Sequence, residues 1–170
     1  MSRSGYTDDC DNLALWRQAV QRAIKGKRGQ ATLRELLEAL DAMPDKRLYR
    51  GNFTTADGEF CTLGVLGAKR GVKMDDLGDE EDGSDPDLVG ERFGIAKALA
   101  AEIMYENDES GSDYDYVQVA ICGPMRPFDS RMRWVRVEDD EEPAAKRWKR
   151  MRRWVSRQLE SSPTKGGDSK

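Results

Sequence analysis

The sequence predicts an α+β domain that is predominantly helical, with about five helices around one core and a small antiparallel hairpin. Three observations carry this reading. Apolar residues recur at helical period through several long stretches. Strict alternation marks 116–122, and glycine and proline punctuate the boundaries between segments.

The first helix is expected from about Asp11 to Lys25, where Leu13, Trp16, Val20 and Ile24 form one stripe. Asp9 or Asp11 is available as its N-cap, and Gly26 and Gly29 offer its exit. The second spans about Gln30 to Met43, with Leu33, Leu36, Leu37, Leu40 and Met43 on one face and Pro44 as the stop. Thr32 and Glu35 have capping-box spacing. The Gly26–Gly29 run lacks the pattern of a phosphate loop and reads as a connector of an antiparallel helix pair.

Residues 46–71 admit two readings. Asp57-Gly58 is a tight-turn pair that would join strands at 49–55 and 59–63. Alternatively, a helix runs from Cys61 to Arg70 and ends on Gly71. The helix is preferred, because Gly64 and Gly67 would then form a smooth face for close packing. Asp75 to Asp87 holds eight acids in thirteen residues and reads as an exposed loop. Pro86 opens a short helix, Asp87 to Arg92, and Ile95, Leu99 and Ile103 stripe another from Ile95 to Asn107. Val117, Val119 and Ile121 then line one face of a strand, with Arg131–Val137 as its partner, the pair packing at the edge of the core. The final helix begins at Pro143. Its Ala144, Trp148, Met151, Val155 and Leu159 share one face, opposite Lys146, Lys149, Arg150, Arg153 and Arg157. Residues 1–160 thus read as one globular domain, with an acidic loop at about 75–87, a hairpin insertion at about 112–141 and a disordered tail at 161–170.

Composition narrows the chemistry. The 170 residues carry 28 Lys+Arg, 32 Asp+Glu and no histidine. No histidine triad, Cys–His pair or histidine metal ligand can form. Cys10, Cys61 and Cys122 lack zinc-site spacing and suit reduced thiols in a cytoplasm. The longest uncharged stretch, Tyr116 to Met125, is half of the ~20 residues that cross a bilayer. Asp8, Asp9 and Asp11 stand where a signal peptide would need apolar residues. A soluble cytoplasmic protein without membrane contact, cofactor or metal is expected.

Charge is segregated. Residues 75–115 carry two bases and fifteen acids, whereas 116–170 carry thirteen bases and eight acids. The simplest meaning is that the acidic loops and the basic helix lie against each other, or that the charges keep the protein soluble. Two sharper readings stand beside it. Lys146, Lys149, Arg150, Arg153 and Arg157 form a face suited to neutralising DNA or RNA phosphates, widened by Arg126, Arg131, Arg133 and Arg136. Asp79, Glu80, Glu81 and Asp82 present carboxylates that would imitate a phosphate backbone and occupy a host protein. A metal-dependent enzyme using acids of 75–115 is the remaining class. Asp79, Glu80, Asp82 and Asp85 miss the spacing of a calcium loop, and Glu102, Glu106 and Asp108 would face a cleft from the helix before the hairpin.

Several runs carry a family likeness: Met1–Tyr6, Gly26–Gln30 leading into Leu36–Pro44, Asp57–Gly64, Phe93–Ala96, Glu102–Glu109, and the pairs Arg147-Trp148 and Trp154-Val155. Over about 1–109 and 143–160 the chain resembles uncharacterised small proteins of tailed phages and prophages of proteobacteria. The resemblance implies work inside the host cytoplasm and supplies no catalytic residues. With no catalytic motif assembled, the expected function is non-catalytic: binding a host macromolecule, to counter a defence or to regulate a nucleic-acid-handling protein. The expected core is Trp16, Leu36, Leu40, Leu99, Ile103, Trp148, Met151 and Val155. Trp148→Ala should lower stability by about 3–5 kcal/mol in urea titration if that ring is buried.

Overall fold

The computed structural model describes residues 4–6, 12–77, 85–111, 116–120, 132–137 and 141–160. Six helices and one antiparallel hairpin make up the described chain, in accord with the predominantly helical α+β expectation. They are α1 (Leu13–Lys25), α2 (Lys27–Ala42), α3 (Thr62–Arg70), α4 (Pro86–Phe93), α5 (Lys97–Asp108), β1 (Tyr116–Ala120), β2 (Met132–Arg136) and α6 (Pro143–Glu160).

Two helices organise the rest. α2 packs on α1, α3 and α6, and α5 packs on α1, α3, α4 and α6. Leu33, Leu36 and Leu40 of α2 meet a core that includes Leu63 and Leu66, Leu99, Ile103 and Met104, and Met151 and Val155, all essentially inaccessible. Trp16 and Trp148 are half-buried at its margin. The Trp148 indole N–H donates to the Leu40 carbonyl at 3.1 Å, and the Lys46 ammonium lies 5.2 Å from the ring centre.

The helix pair is tighter than the sequence suggests. α2 begins at Lys27, so the connector is Gly26 alone, in an extended conformation. Gly29 makes this possible, since a Cβ there would stand 1.8 Å from the Ala23 carbonyl oxygen. Thr32 therefore lies buried inside α2 and is no cap, while Glu35 accepts two hydrogen bonds from Arg70 of α3. The capping-box reading fails because the helix starts at Lys27, well before the position that its spacing implies. Asn12 occupies the cap position of α1 without a side-chain bond; Asp9 and Asp11 lie outside the described residues.

The helix reading of 61–70 holds. Cys61 is the N-cap, its sulfur accepting from the Gly64 N–H at 3.4 Å, and Gly71 closes the helix in the left-handed conformation at φ 66°. The competing turn survives in reduced form, as a single bridge between Thr54 and Phe60 around Asp57-Gly58. The start of α3 is also capped from α5. The buried Asn107 side-chain oxygen Oδ1 accepts from the Thr62 N–H at 3.1 Å and from its hydroxyl at 2.6 Å. The Asn107 amide nitrogen donates to the Tyr49 carbonyl and to Asp108 Oδ1.

The stretch Asp75–Asp87 departs from a wholly exposed loop at its described ends. Leu77 is buried, Asp76 accepts two bonds from Arg92 at 2.9 and 3.1 Å, and Asp85 caps α4 by accepting from the Asp87 N–H. A lone leucine among eight acids leaves no periodicity to read, so its burial is invisible until α4 is placed. α4 itself extends to Phe93, and Ile95 lies in the turn before α5 instead of inside the helix, its N–H donating to the Gly90 carbonyl.

The two glycines of α3 serve packing, and their neighbours differ. A Cβ on Gly64 would meet the Phe53 carbonyl oxygen at 1.8 Å, whereas on Gly67 it would meet the movable Met74 sulfur at 2.5 Å and the Phe93 ring at 3.0 Å. Backbone cannot yield as a thioether can. Gly64→Ala should destabilise by about 3 kcal/mol or more, and Gly67→Ala by about 1–2 kcal/mol. Urea midpoints of the two variants check the order.

Candidate interaction face

β1 and β2 pair in register Tyr116↔Arg136, Val117↔Val135, Gln118↔Trp134, Val119↔Arg133 and Ala120↔Met132. Directly paired residues of an antiparallel ladder project to the same side. One face therefore carries Tyr116, Gln118, Ala120, Met132, Trp134 and Arg136; the other carries Val117, Val119, Arg133 and Val135. All six residues of the first face are exposed. Trp134 is 65% accessible, Met132 50% and Tyr116 48%. The valine face is only partly covered, with Val119 and Val135 half-buried and Val117 exposed. Among the described residues the sheet has two strands, so each also has an edge with no further described strand on it. The valines expected on one face of the strand do share a face, and Ile121 lies outside the described residues.

Trp134 belongs to a phase of the alternation that the valine pattern obscures. Reading 116, 118, 132, 134 and 136 as one set, instead of 117 and 119, would have exposed the aromatic face in the sequence. Its exposure could not be read there, because a tryptophan between Arg133 and Val135 suits a buried strand equally well.

The basic residues of α6 are divided among tasks. Arg147 is buried and donates to the Leu48 carbonyl at 2.8 Å. Arg150 is half-buried and donates to the carbonyls of Glu106 and Asn107. Arg152 grips Asp41 with two bonds, holding that carboxyl below its ordinary range through the hydrogen bond and the nearby charge. Lys149 pairs with Glu141 at 2.6 Å in an exposed contact, of a kind that exchanges readily in solution. Lys146 is half-buried. Arg153 and Arg157 are exposed, one turn apart. Of the five residues assigned to nucleic acid, Arg150 points into the bundle, and Lys149, Arg153 and Arg157 remain outward. Asp79, Glu80, Glu81 and Asp82 lie outside the described residues. Among the described residues no three carboxylates or thiols are placed to hold a metal ion, and no helix is long and apolar enough to cross a membrane.

Glu102 does face a cleft, of about 750 Å³, between α1 and α5. Ser4–Tyr6 enters it. The Tyr6 hydroxyl donates to Glu102 Oε2 at 2.5 Å, and its ring lies edge-on to Trp16 and tilted against Tyr105, with centroids 5.7 and 5.1 Å apart. No local pattern in the sequence links Tyr6 to Glu102. Of the other two acids assigned to this cleft, Glu106 accepts from the Ser110 hydroxyl and buried Asp108 from the Gly51 N–H, so each serves a local turn or strap.

No family model, curated protein or solved structure matches the chain.

Burial raises the Glu102 carboxyl above its ordinary value; the Tyr6 bond opposes this and the Glu106 charge adds to it. The same contact holds the Tyr6 hydroxyl protonated well beyond its usual range, chiefly through burial. A raised folded-state value contributes stability that is present below the pH where free glutamate titrates, and is lost as pH rises through the folded value. Glu102→Gln keeps an acceptor for Tyr6 and carries no charge. It should be more stable than the parent near about pH 7, with the advantage shrinking toward about pH 4; urea midpoints at both values check this.

Proposed function

We propose that this chain is a non-catalytic accessory protein, phage-encoded as its resemblance implies, that binds a host macromolecule in the cytoplasm through its β-hairpin. One observation supports the reading. The hairpin holds Trp134, Met132 and Tyr116 together on a fully exposed face, while the helices close their own core without it. Exposed apolar groups gathered on one face, with arginine beside them, are the composition of binding hot spots. Folding gains nothing from leaving a tryptophan in water, so the exposure is a standing cost that a partner would relieve.

The alternative, nucleic acid on the basic face of α6, draws support only from Arg153 and Arg157 with the exchangeable Lys149. Catalysis by acids of 75–115 draws none from the described residues, where Asp76, Asp85, Asp87 and Glu102 are engaged in structural contacts.

Affinity capture from a proteobacterial lysate tests the hairpin. Trp134→Lys with Met132→Lys should abolish capture while the melting temperature stays within about 2 °C, since these side chains sit outside the core. Lys149→Glu, Arg153→Glu and Arg157→Glu together should leave it intact. An unchanged capture by the hairpin variant would overturn the assignment.

A further inference from the structure

A cavity of about 450 Å³ lies where the start of α2 meets the turn from α4 into α5, away from the hairpin. Its volume falls within the usual range of small-ligand sites, about 300–1,000 Å³. Arg22, Lys27 and Arg28 are its charged lining residues, and no acid lines it. The imbalance begins in the sequence. Residues 12–34 hold Arg17, Arg22, Lys25, Lys27, Arg28 and Arg34 and no acid, in a chain whose net charge is −4. Arg22 and Lys27 are exposed, and neither has an ion pair or side-chain hydrogen bond among the described residues. Arg28 makes one long bond, to the Gly94 carbonyl at 3.4 Å.

The interior of the cavity adds an independent feature. Thr32 stands one turn after Arg28 on the same face of α2 and lines the cavity, only 6% exposed. Its hydroxyl has no hydrogen-bond partner among the described residues. A buried hydroxyl without a partner carries an unrelieved desolvation cost, which an acceptor atom in the cavity would remove. α2 also begins without a side-chain cap or an acid in its first turn, and such a helix end favours an anion. Ala23, Ile95 and Leu99 supply an apolar wall.

We propose that this cavity binds a small phosphate monoester. Its phosphate meets Arg22, Lys27, Arg28 and the Thr32 hydroxyl, and its apolar body lies on the Ala23–Ile95–Leu99 wall. Three cations without an acid suit a dianion better than a single carboxylate, and guanidinium forks match phosphate oxygens. A bare phosphate ion would leave the apolar wall wet. A nucleic-acid backbone would touch the exposed cations without reaching the buried Thr32.

Titration calorimetry on the full chain with phenyl phosphate, inorganic phosphate and phenol tests this. Phenyl phosphate should bind at least about tenfold more tightly than inorganic phosphate, and phenol should give no measurable heat. Methyl phenyl phosphate, a diester with one negative charge, should bind more weakly than the monoester. Arg22→Gln with Lys27→Gln should weaken binding about tenfold or more at an unchanged melting temperature. Thr32→Val should weaken it about tenfold without lowering stability, a change that a merely structural threonine would not cause, and Thr32→Ser should retain most of it. Arg153→Gln with Arg157→Gln removes the same charge from α6 and should change little.

Absence of phenyl phosphate binding, indifference to Thr32→Val, or equal loss from the α6 pair overturns the proposal. Tighter binding of the diester overturns the monoester assignment. A twelve-nucleotide dT strand that binds where phenyl phosphate does not would make the basic surface a nucleic-acid contact and overturn it as well.

Discussion

The last turn of an α-helix leaves carbonyl groups with no partner in the helix, and a compact bundle must satisfy them without water. In this fold all six helix C-termini are closed, and five of them by side chains from elsewhere. Gln30 of α2 donates through one amide nitrogen to Ile24 of α1 and to Gln158 of α6. Trp148 and Lys46 cover Leu40 at the end of α2, Arg70 reaches Phe93 at the end of α4, and Arg150 covers Glu106 and Asn107 at the end of α5. Only α3 relies on its glycine alone. Each bond that finishes one helix fixes the position of another, so the arrangement of helices and the satisfaction of their ends are one condition.

This condition engages several of the chain's cations. A guanidinium at a helix C-terminus donates to the exposed carbonyls and meets the negative end of the dipole. Arg70 does so while gripping Glu35, and thereby joins α2, α3 and α4. Arg147 and Arg150, on neighbouring turns of α6, tie that helix to the Leu48 carbonyl and to α5. A helix that looks uniformly basic in sequence is therefore divided into inward arginines that hold the bundle and outward ones that meet solvent. Net charge along a segment does not distinguish the two.

The hairpin stands apart from this scheme. A two-stranded ribbon is marginally stable without a covering layer, and this one leaves its aromatic face in solvent. The cleft holding Tyr6 shows the opposite treatment of similar residues, since there an aromatic ring is packed between Trp16 and Tyr105 with its hydroxyl bonded to Glu102. The protein thus packs one set of aromatics, half-buried, as structure and presents another as surface.

Local chemistry by itself determined where most elements begin and end. Pro44 and Pro143, the left-handed Gly71, and the stripes Leu33–Leu36–Leu40 and Met151–Val155 act within a few residues, so sequence patterns report them directly. What only the tertiary structure decided depends on partners distant in the chain. Thr32 and Glu35 have the spacing of a cap but lie inside a helix, because Gly29 lets α2 start against the Ala23 carbonyl. Leu77 joins the common core amid acids, next to Asp76, which Arg92 of α4 holds. Asn107 caps a helix forty-five residues before it, and Arg150 is turned inward by the carbonyls it finds there. The alternation at 116–120 was legible, but which of its two faces meets water was not. Periodicity defines that a strand has two sides; only the packing of the remaining chain selects the side that is covered.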